Sequence, residues 1–238
     1  MSRSATLAAL ALMAIAVGPP SLSAKEAKPF GLAVFGSYQR YAMPDVDDAI
    51  DTPGTFFPGA TANGDKIDGG AGFGGGFRVW PSARARVAVD VSRLLAKTTG
   101  SGIYSGAPYQ GELSIPATSV AATFSYVFRP LGRLRPGIGA GAGYYLCTGK
   151  ASATTSGTSY AADVKGSGFG FHGEGSVDLP VAGAFHAEIG AGYRHAATTD
   201  VEVGGAVLRN ADGSKSQVDW SGVWGRAGLT LYLGRRPQ

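Results

Sequence analysis

The stretch Ser119-Val120-Ala121-Ala122-Thr123-Phe124-Ser125-Tyr126-Val127-Phe128 decides the fold class. Within it, Val120, Ala122 and the aromatic residues occupy every second position, and serine, alanine and threonine fill most positions between them. Successive side chains of a β-strand point to opposite faces, so the alternation predicts a strand with one apolar and one small or polar face. The stretch also has the ~9 to 11 residues with which a tilted strand crosses a bilayer.

The same alternation recurs along the chain in eight runs of about 10 to 14 residues. We predict strands at 30–41, 69–80, 85–96, 115–128, 135–148, 166–178, 185–197 and 220–233. The connections between these strands alternate in length. Those at 42–68, 97–114, 149–165 and 198–219 are long and rich in small and polar residues, whereas those at 81–84, 129–134 and 179–184 are short.

Long connections on one rim and short turns on the other are typical of outer-membrane barrels, whose long loops face the outside. We therefore predict an all-β fold class, an eight-stranded antiparallel up-and-down transmembrane β-barrel of the cell outer membrane. An even number of strands places both termini in the periplasm. The alternative is a soluble sandwich or a lipocalin-like barrel, in which the apolar face points inward. Here the face opposite the apolar one carries charges that a small soluble core could not accept.

The first residues indicate export. Arg3 is followed by an apolar run at 5–17, a Gly-Pro-Pro break and several small residues. This order is that of a secretory signal peptide, so we divide the chain into a signal peptide at 1–24 and an outer-membrane barrel domain at 25–238. An uncleaved helical anchor is the alternative, but the apolar run is shorter than the ~20 residues that a spanning helix needs.

Composition excludes several other classes. Glycine accounts for 38 of the 238 residues, roughly twice the ordinary share of about 7%, which suits a sheet with close backbone packing. The net charge of +4 is too small to indicate nucleic-acid binding. Cys147 is the single cysteine, so no disulfide framework is expected. We expect no cofactor and no bound metal, because the aspartates of the first long connection do not have the spacing of a calcium loop. These aspartates are Asp45, Asp47, Asp48 and Asp51.

The strand faces opposite the apolar ones predict a set of charged side chains inside the barrel. The set consists of Arg78, Asp90, His172, Glu174, Asp178, His186, Glu188, Arg194 and Arg226. Buried charges are tolerable only when they are paired, so we interpret the set as a structural network and predict no catalytic residue. A turn centred on Ala182 would place Asp178 opposite His186. Because an eight-stranded barrel is just wide enough for side chains to fill it, we expect a closed lumen.

Three glycine-rich stretches and the last strand resemble the opacity-protein and outer-membrane-protein-W-like group of eight-stranded barrels. The stretches are Arg135-Pro136-Gly137-Ile138-Gly139-Ala140-Gly141-Ala142-Gly143-Tyr144-Tyr145, residues 168–175 and residues 190–195. In the last strand, Arg226, Gly228, Leu231 and Leu233 resemble the assembly signal of outer-membrane proteins. The resemblance implies recognition by the barrel-assembly machinery. Many members of the group end on an aromatic residue, whereas this chain continues to Gln238.

The sequence favours a non-enzymatic protein with a structural or surface-interaction role, exerted through its long extracellular loops. Outer-membrane lipid and lipopolysaccharide are expected partners, and an extracellular ligand or host surface is a further one. The alternative is a narrow channel for small hydrophobic compounds, which the resemblance to the W-like group permits. A lipid A-modifying enzyme is a third reading. His195 lies in a context that resembles a deacylase motif, but Ala197 stands where the nucleophilic serine is expected.

Overall fold

The computed structural model describes residues 30–41, 43–44, 46, 61–64, 66–104, 106–210 and 213–233. The predicted signal peptide, the aspartates of the first long connection and both chain termini lie outside the described residues. In the part of the chain that is described, no helix is long and apolar enough to cross a bilayer.

Thirteen strands make up the described chain. They are β1 (Phe30–Arg40), β2 (Thr61–Gly64), β3 (Gly69–Val79), β4 (Ala85–Leu94), β5 (Lys97–Tyr104), β6 (Ala107–Ser114), β7 (Ala117–Val127), β8 (Arg135–Thr155), β9 (Thr158–Ala182), β10 (Phe185–Val203), β11 (Ala206–Val207), β12 (Val218–Asp219) and β13 (Gly222–Leu233). Eight of them, β1, β3, β4, β7, β8, β9, β10 and β13, pair antiparallel in this order, and β13 pairs back with β1 to close a ring. The predicted eight-stranded up-and-down barrel is thus confirmed.

The outside of the ring is an apolar belt. Large exposed side chains project from all eight strands and include Val34, Tyr38, Phe73, Phe77, Val91, Phe124, Ile138, Phe169, Phe171, Ile189, Tyr193, Val223 and Leu229. A water-soluble protein rarely exposes a contiguous apolar surface of this extent. The belt is the surface that a membrane-spanning barrel turns to lipid, and aromatic residues lie toward both of its edges, as at Tyr38 and Phe128.

For two segments the prediction of a long loop is wrong, because their residues form strands. Segment 97–114 is the hairpin of β5 and β6, and segment 149–165 continues β8 and β9 to a two-residue turn at Ser156 and Gly157. Both turn residues have positive φ, of 47° and 80°, as the tightest hairpin turns require. On one face, this part of β8 carries Gly149, Ala151, Ala153 and Thr155, and small residues of this kind are equally common in loops.

These strands form a protruding sheet beyond the barrel. We define it by residues 61–64, 97–104, 107–114, 147–166 and 199–207. β2 pairs with β5, β5 with β6, and β6 with the extended part of β8. Beyond β9, the sheet continues into the end of β10 and into β11. The protruding sheet is therefore an ordered extension of the barrel wall on the rim opposite the short turns.

The barrel interior changes along its axis. At the short-turn end, Trp80, Val127 and Tyr232 form a small buried cluster. At the other end lies a larger apolar cap, where the barrel meets the protruding sheet. The cap consists of Tyr41, Met43, Val46, Ile67, Leu94, Ala96, Ile115, Ala117, Tyr145, Cys147, Val164, Ala196, Val201, Val218 and Trp220. Between the two clusters the interior is charged.

Candidate functional site: a charged lumen beneath an apolar cap

Glu188 lies at the centre of the charged section. Its carboxylate oxygens lie 3.3 Å from Arg78 Nε, 3.2 Å from Arg86 Nη1 and 2.8 Å from Arg226 Nη2. Glu188 projects inward from β10, and the three arginines come from β3, β4 and β13. One carboxylate thus joins four strands of the ring across the lumen.

Two further carboxylates complete the network. Asp90 accepts from Arg78 Nη1 at 2.5 Å and from Arg226 Nη1 at 3.0 Å. Glu174 lies 3.1 Å from Arg226 Nη2 and 3.7 Å from Arg86 Nη2. Arg226 therefore contacts all three carboxylates. A Cβ at Gly76 would collide with the Asp90 carboxylate, so glycine at this position leaves the room that the network occupies.

The network is balanced in charge and buried. Three guanidinium groups meet three carboxylates, and all six side chains are at most 10% exposed. Each charge would be strongly unfavourable in this interior without its partners. Pairing across the lumen joins β3, β4, β9, β10 and β13 and gives each buried charge an oppositely charged partner.

Arg86 belongs to the network, although the sequence analysis missed it. Its side chain is 1% exposed, and Nη2 also donates to Ser176 Oγ at 3.1 Å. The alternation of side chains does indicate that Arg86 faces the lumen, because Arg86 shares its strand face with Ala88 and Asp90. Arg86 also lies next to the predicted turn at 81–84, where an arginine is usually solvated, so its position alone favours an exposed side chain.

The other predicted lumen residues have different partners. His172 is half-buried, and its Nε2 lies 2.8 Å from Thr123 Oγ1. His186 Nδ1 lies 3.1 Å from Asp178 Oδ2, so these two side chains do meet. They are not directly opposite, since the register pairs Asp178 with Glu188. The predicted register is wrong by two residues, because the turn is centred between Gly183 and Ala184, with Phe185 opposite Ala182, rather than on Ala182. An irregularity between Phe185 and His186 then changes the register by one residue.

Arg194 lies on β10 between Glu188 of the charged section and Ala196 of the cap. It is 7% exposed, and its guanidinium donates to Gln39 Oε1 and, at 3.0 and 3.1 Å, to the carbonyl oxygen of Trp220. The guanidinium also lies over the ring of Tyr145, 5.4 Å from its centroid. This arginine therefore pairs with neutral oxygens and an aromatic face, whereas Arg78, Arg86 and Arg226 pair with carboxylates.

Trp220 is the largest side chain at the centre of the cap and is fully buried. Its ring packs edge-on against Tyr41 at 5.1 Å between centroids. Burial raises the pKa of Tyr41 to about 12, so the phenol stays neutral and donates to the carbonyl oxygen of Leu95. Cys147 is also buried here. No sequence periodicity indicated this cap, because its residues come from strand ends and connections far apart in the chain.

A polar groove lies on the outer face of the protruding sheet. Its volume is about 540 Å³, and it is lined by Glu112, Ser114, Pro116, Thr148, Gly149, Lys150, Ser152, Ala161, Asp163, Val164 and Lys165. Lys150 stands opposite Ser114 on β6 and Asp163 on β9. The face continues the lipid-facing side of β8, so the groove opens sideways just beyond the apolar belt. Its mixed charges and hydroxyls suit a polar ligand.

The structure brings a serine to His195 from another segment. Ser221 Oγ lies 3.2 Å from His195 Nδ1 and accepts from the backbone N–H of Ala196 at 3.0 Å. Ser221 is 5% exposed, and its backbone N–H donates to Asp219. Among the described residues, no carboxylate hydrogen-bonds His195, so the orienting acid of a hydrolytic triad is not supplied there.

The residues of the predicted assembly signal all lie on β13. Arg226 faces the lumen, whereas Leu233 is 51% exposed on the lipid side. Gly228 packs so closely against β1 that a Cβ would collide with the carbonyl oxygen of Val34. Recognition by the assembly machinery remains a prediction. No group of three or more metal-ligating side chains occurs among the residues that the structure describes.

Comparisons with known proteins give structural likenesses only. No family model and no curated protein matches the chain. The fold is similar to that of Neisserial surface protein A, at 12% identity over 87% of this chain and 97% of that one, with a TM-score of 0.41. It is also similar to Ail, the attachment invasion locus protein of Yersinia pestis, at 14% identity over 87% and 99% of the two chains, with a TM-score of 0.37. The outer membrane protease OmpT from Escherichia coli matches at 9% identity over 91% and 100%, with a TM-score of 0.27.

Proposed function

We propose that this chain is a non-conducting outer-membrane barrel that presents its protruding sheet at the cell surface as a contact surface for an extracellular ligand or host surface. In this orientation the short turns and both termini are periplasmic. The observation that carries the proposal is the occlusion of the lumen at two levels, by the charge network and by the apolar cap. A barrel whose interior is filled in this way anchors the protruding sheet in the membrane.

The two levels oppose conduction for different reasons. A hydrated ion would have to separate the pairs that Arg226 makes with Asp90, Glu174 and Glu188, each at 3.2 Å or less. Above them, the same ion would have to enter the apolar surroundings of Trp220. Neither level offers the water-filled passage of a larger porin.

The protruding sheet supports the surface role. β8, β9 and β10 have 21, 25 and 19 residues, whereas β1, β3 and β7 have 11 each. Crossing a bilayer requires only ~9 to 11 residues of a strand. The additional length builds a surface that the barrel itself does not need, and this surface includes the polar groove between Glu112 and Lys165.

A channel for small hydrophobic compounds is the second candidate. A small apolar pocket lies between the cap and the protruding sheet, lined in part by Leu113, Ile115, Val164, Val201 and Leu208. Such a solute would have to leave sideways through the wall, because the charge network lies beneath the cap.

Planar-bilayer recordings test the closed lumen. We expect purified protein to show no steady conductance at neutral pH, with a general porin as the positive control. A steady, protein-dependent current would contradict the proposal. Uptake of a hydrophobic fluorescent solute into vesicles that contain the protein tests the second candidate, and uptake equal to that of protein-free vesicles would exclude it.

The contact role is tested on protein in lipid nanodiscs. The probes are an epithelial cell monolayer, purified lipopolysaccharide and an array of neutral and sulfated glycans. We expect binding to at least one probe, and we expect the variant Glu112→Gln/Lys150→Gln/Asp163→Asn/Lys165→Gln to weaken it. Arg129→Gln/Arg133→Gln, on the opposite rim, is the control. No binding to any probe, or equal loss in both variants, would count against the contact role.

A further inference from the structure

The short-turn rim carries exposed charge of one sign. Arg84, Arg129 and Arg133 are exposed on the turns, whereas the described turn segments 80–85 and 128–135 contain no aspartate or glutamate. The protruding sheet differs, since its lysines and carboxylates alternate, as in the pair of Lys97 with Glu112 at 3.0 Å. The positive charge of the turn rim is therefore not balanced by neighbouring side chains in these segments.

Two leucines are exposed in the same place. Leu131 is 70% exposed and Leu134 is 45% exposed. They face each other across a two-residue turn, with backbone hydrogen bonds of 2.8 and 3.1 Å between them. Gly132 allows this turn with a φ of 65°. Cross-strand partners of this kind hold their side chains side by side, so the tip of the turn is a small apolar knob.

The knob is continuous with the lipid-facing belt. Leu134 and Ile138 are four residues apart and point to the same side of the chain, and Ile138 is 57% exposed on the outer face of β8. Tyr126 and Phe128 precede the turn on the outer face of β7 and pack edge-on at 5.3 Å. Arg84 Nη1 lies 3.4 Å from the hydroxyl of Tyr126. The arginines thus lie where the aromatic edge of the belt ends, at the depth of lipid headgroups.

We infer that this turn-rim patch, formed by Arg84, Tyr126, Arg129, Leu131, Arg133 and Leu134, binds anionic phospholipid of the adjoining leaflet. Guanidinium groups of the patch hold the lipid phosphates through charge-assisted hydrogen bonds, and the leucine knob enters the boundary between headgroups and acyl chains. The occupant is a lipid because the charge is joined to an exposed apolar knob beside the belt. An acidic protein surface would satisfy the charge and leave the leucines in water. The inference depends on the membrane-spanning fold and is independent of the proposed surface role.

Spin-labelled lipids test the phosphate contact. The protein is placed in phosphatidylcholine vesicles, and electron paramagnetic resonance gives its relative association with spin-labelled phosphatidylglycerol and phosphatidylcholine. Each basic residue near an anionic surface contributes about a fivefold preference at low salt. We expect the wild type to prefer phosphatidylglycerol and Arg129→Gln/Arg133→Gln to lose most of that preference. The control Lys150→Gln/Lys165→Gln removes the same charge from the other rim and should keep the preference.

Either of two results would overturn the inference: an unchanged preference in Arg129→Gln/Arg133→Gln, or an equal loss in the lysine control. A gel shift between heated and unheated samples verifies that each variant is folded. Neither variant alters the lumen, and Arg129→Gln/Arg133→Gln also leaves the polar groove of the protruding sheet intact. A loss of lipid preference in that variant is therefore distinct from a failure of the proposed surface role.

Brominated lipid tests the leucine knob directly. Tryptophan introduced as Leu131→Trp should be quenched by phosphatidylglycerol brominated near the start of its acyl chains. Tryptophan introduced as Ser101→Trp, on the protruding sheet, should not be quenched. Equal quenching at both positions, or none at Leu131→Trp, would show that the knob does not enter the bilayer.

Discussion

The charge network and the apolar cap occupy the same barrel, one above the other, yet they are stabilised in opposite ways. In the network, Arg226 and Glu188 each have several charged partners, so the stability of the network depends on complete pairing. In the cap, Trp220 and Met43 contribute through the apolar area that they bury. Loss of one member of the network leaves charges unpaired, whereas loss of one member of the cap leaves a cavity.

The two regions also differ in their connection to the barrel. Every residue of the network projects from a strand of the closed ring, so the network cannot open unless the ring deforms. Many residues of the cap, such as Met43 and Ile115, come from connections. The cap can therefore open while the barrel stays folded, as less stable parts of proteins commonly do.

The largest effect is expected from Glu188→Ala. The substitution leaves the buried Arg78, Arg86 and Arg226 each short of a partner, which costs about 3 to 5 kcal/mol in the free energy of unfolding. Urea unfolding in lipid vesicles measures it. Glu202→Ala, which removes an exposed carboxylate from the same strand, is the control and should have little effect. Similar midpoints for the two variants would show that the network does not stabilise the ring.

Trp220→Ala should lower the stability of the cap by about 3 kcal/mol and leave the stability of the barrel unchanged. Cys147 is the natural probe, since it is the single cysteine and is 1% exposed. We expect its reaction with a thiol reagent to accelerate about a hundredfold. Trp80→Ala, in the buried cluster at the other end, should leave this rate unchanged. If both substitutions accelerate labelling equally, the cap does not open independently.

Arg194→Lys tests the arginine that lies between the two regions. An ammonium group cannot reproduce the two hydrogen bonds to the Trp220 carbonyl oxygen together with the bond to Gln39. We expect a loss of about 1 to 2 kcal/mol, and an increase in Cys147 labelling smaller than that in Trp220→Ala. A change in the urea midpoint without any change in labelling would assign Arg194 to the barrel alone.

Glu112→Gln should have the smallest effect on the free energy of unfolding. The pair with Lys97 lies on the exposed face of the protruding sheet, where solvent and salt screen it, so its loss should cost at most about 0.5 kcal/mol. The change in the urea midpoint of Glu112→Gln is compared with the change in the midpoint of Glu188→Ala. A cost near that of Glu188→Ala would mean that the difference between buried and exposed pairs does not apply to this barrel.

Local pattern predicted the barrel strands closely, because the alternation of side chains is a property of neighbouring residues. The predicted strand at 135–148 begins where β8 begins, and the same alternation identified Arg78, Asp90, Glu174, Glu188 and Arg226 as facing inward. It did not identify which charges meet. That depends on register, and the position of the turn together with an irregularity after Phe185 places β10 two residues away from the predicted register.

The sequence by itself determined the eight barrel strands, their inward and outward faces and which rim carries the short turns, since all three follow from local periodicity and connection length. Only the tertiary structure decided the pairing around Glu188, the cap around Trp220, the contact of Ser221 with His195 and the protruding sheet. Each of these joins residues that are far apart in the chain. The strands beyond the bilayer also lack the strong apolar face that made the membrane-spanning strands visible in the sequence.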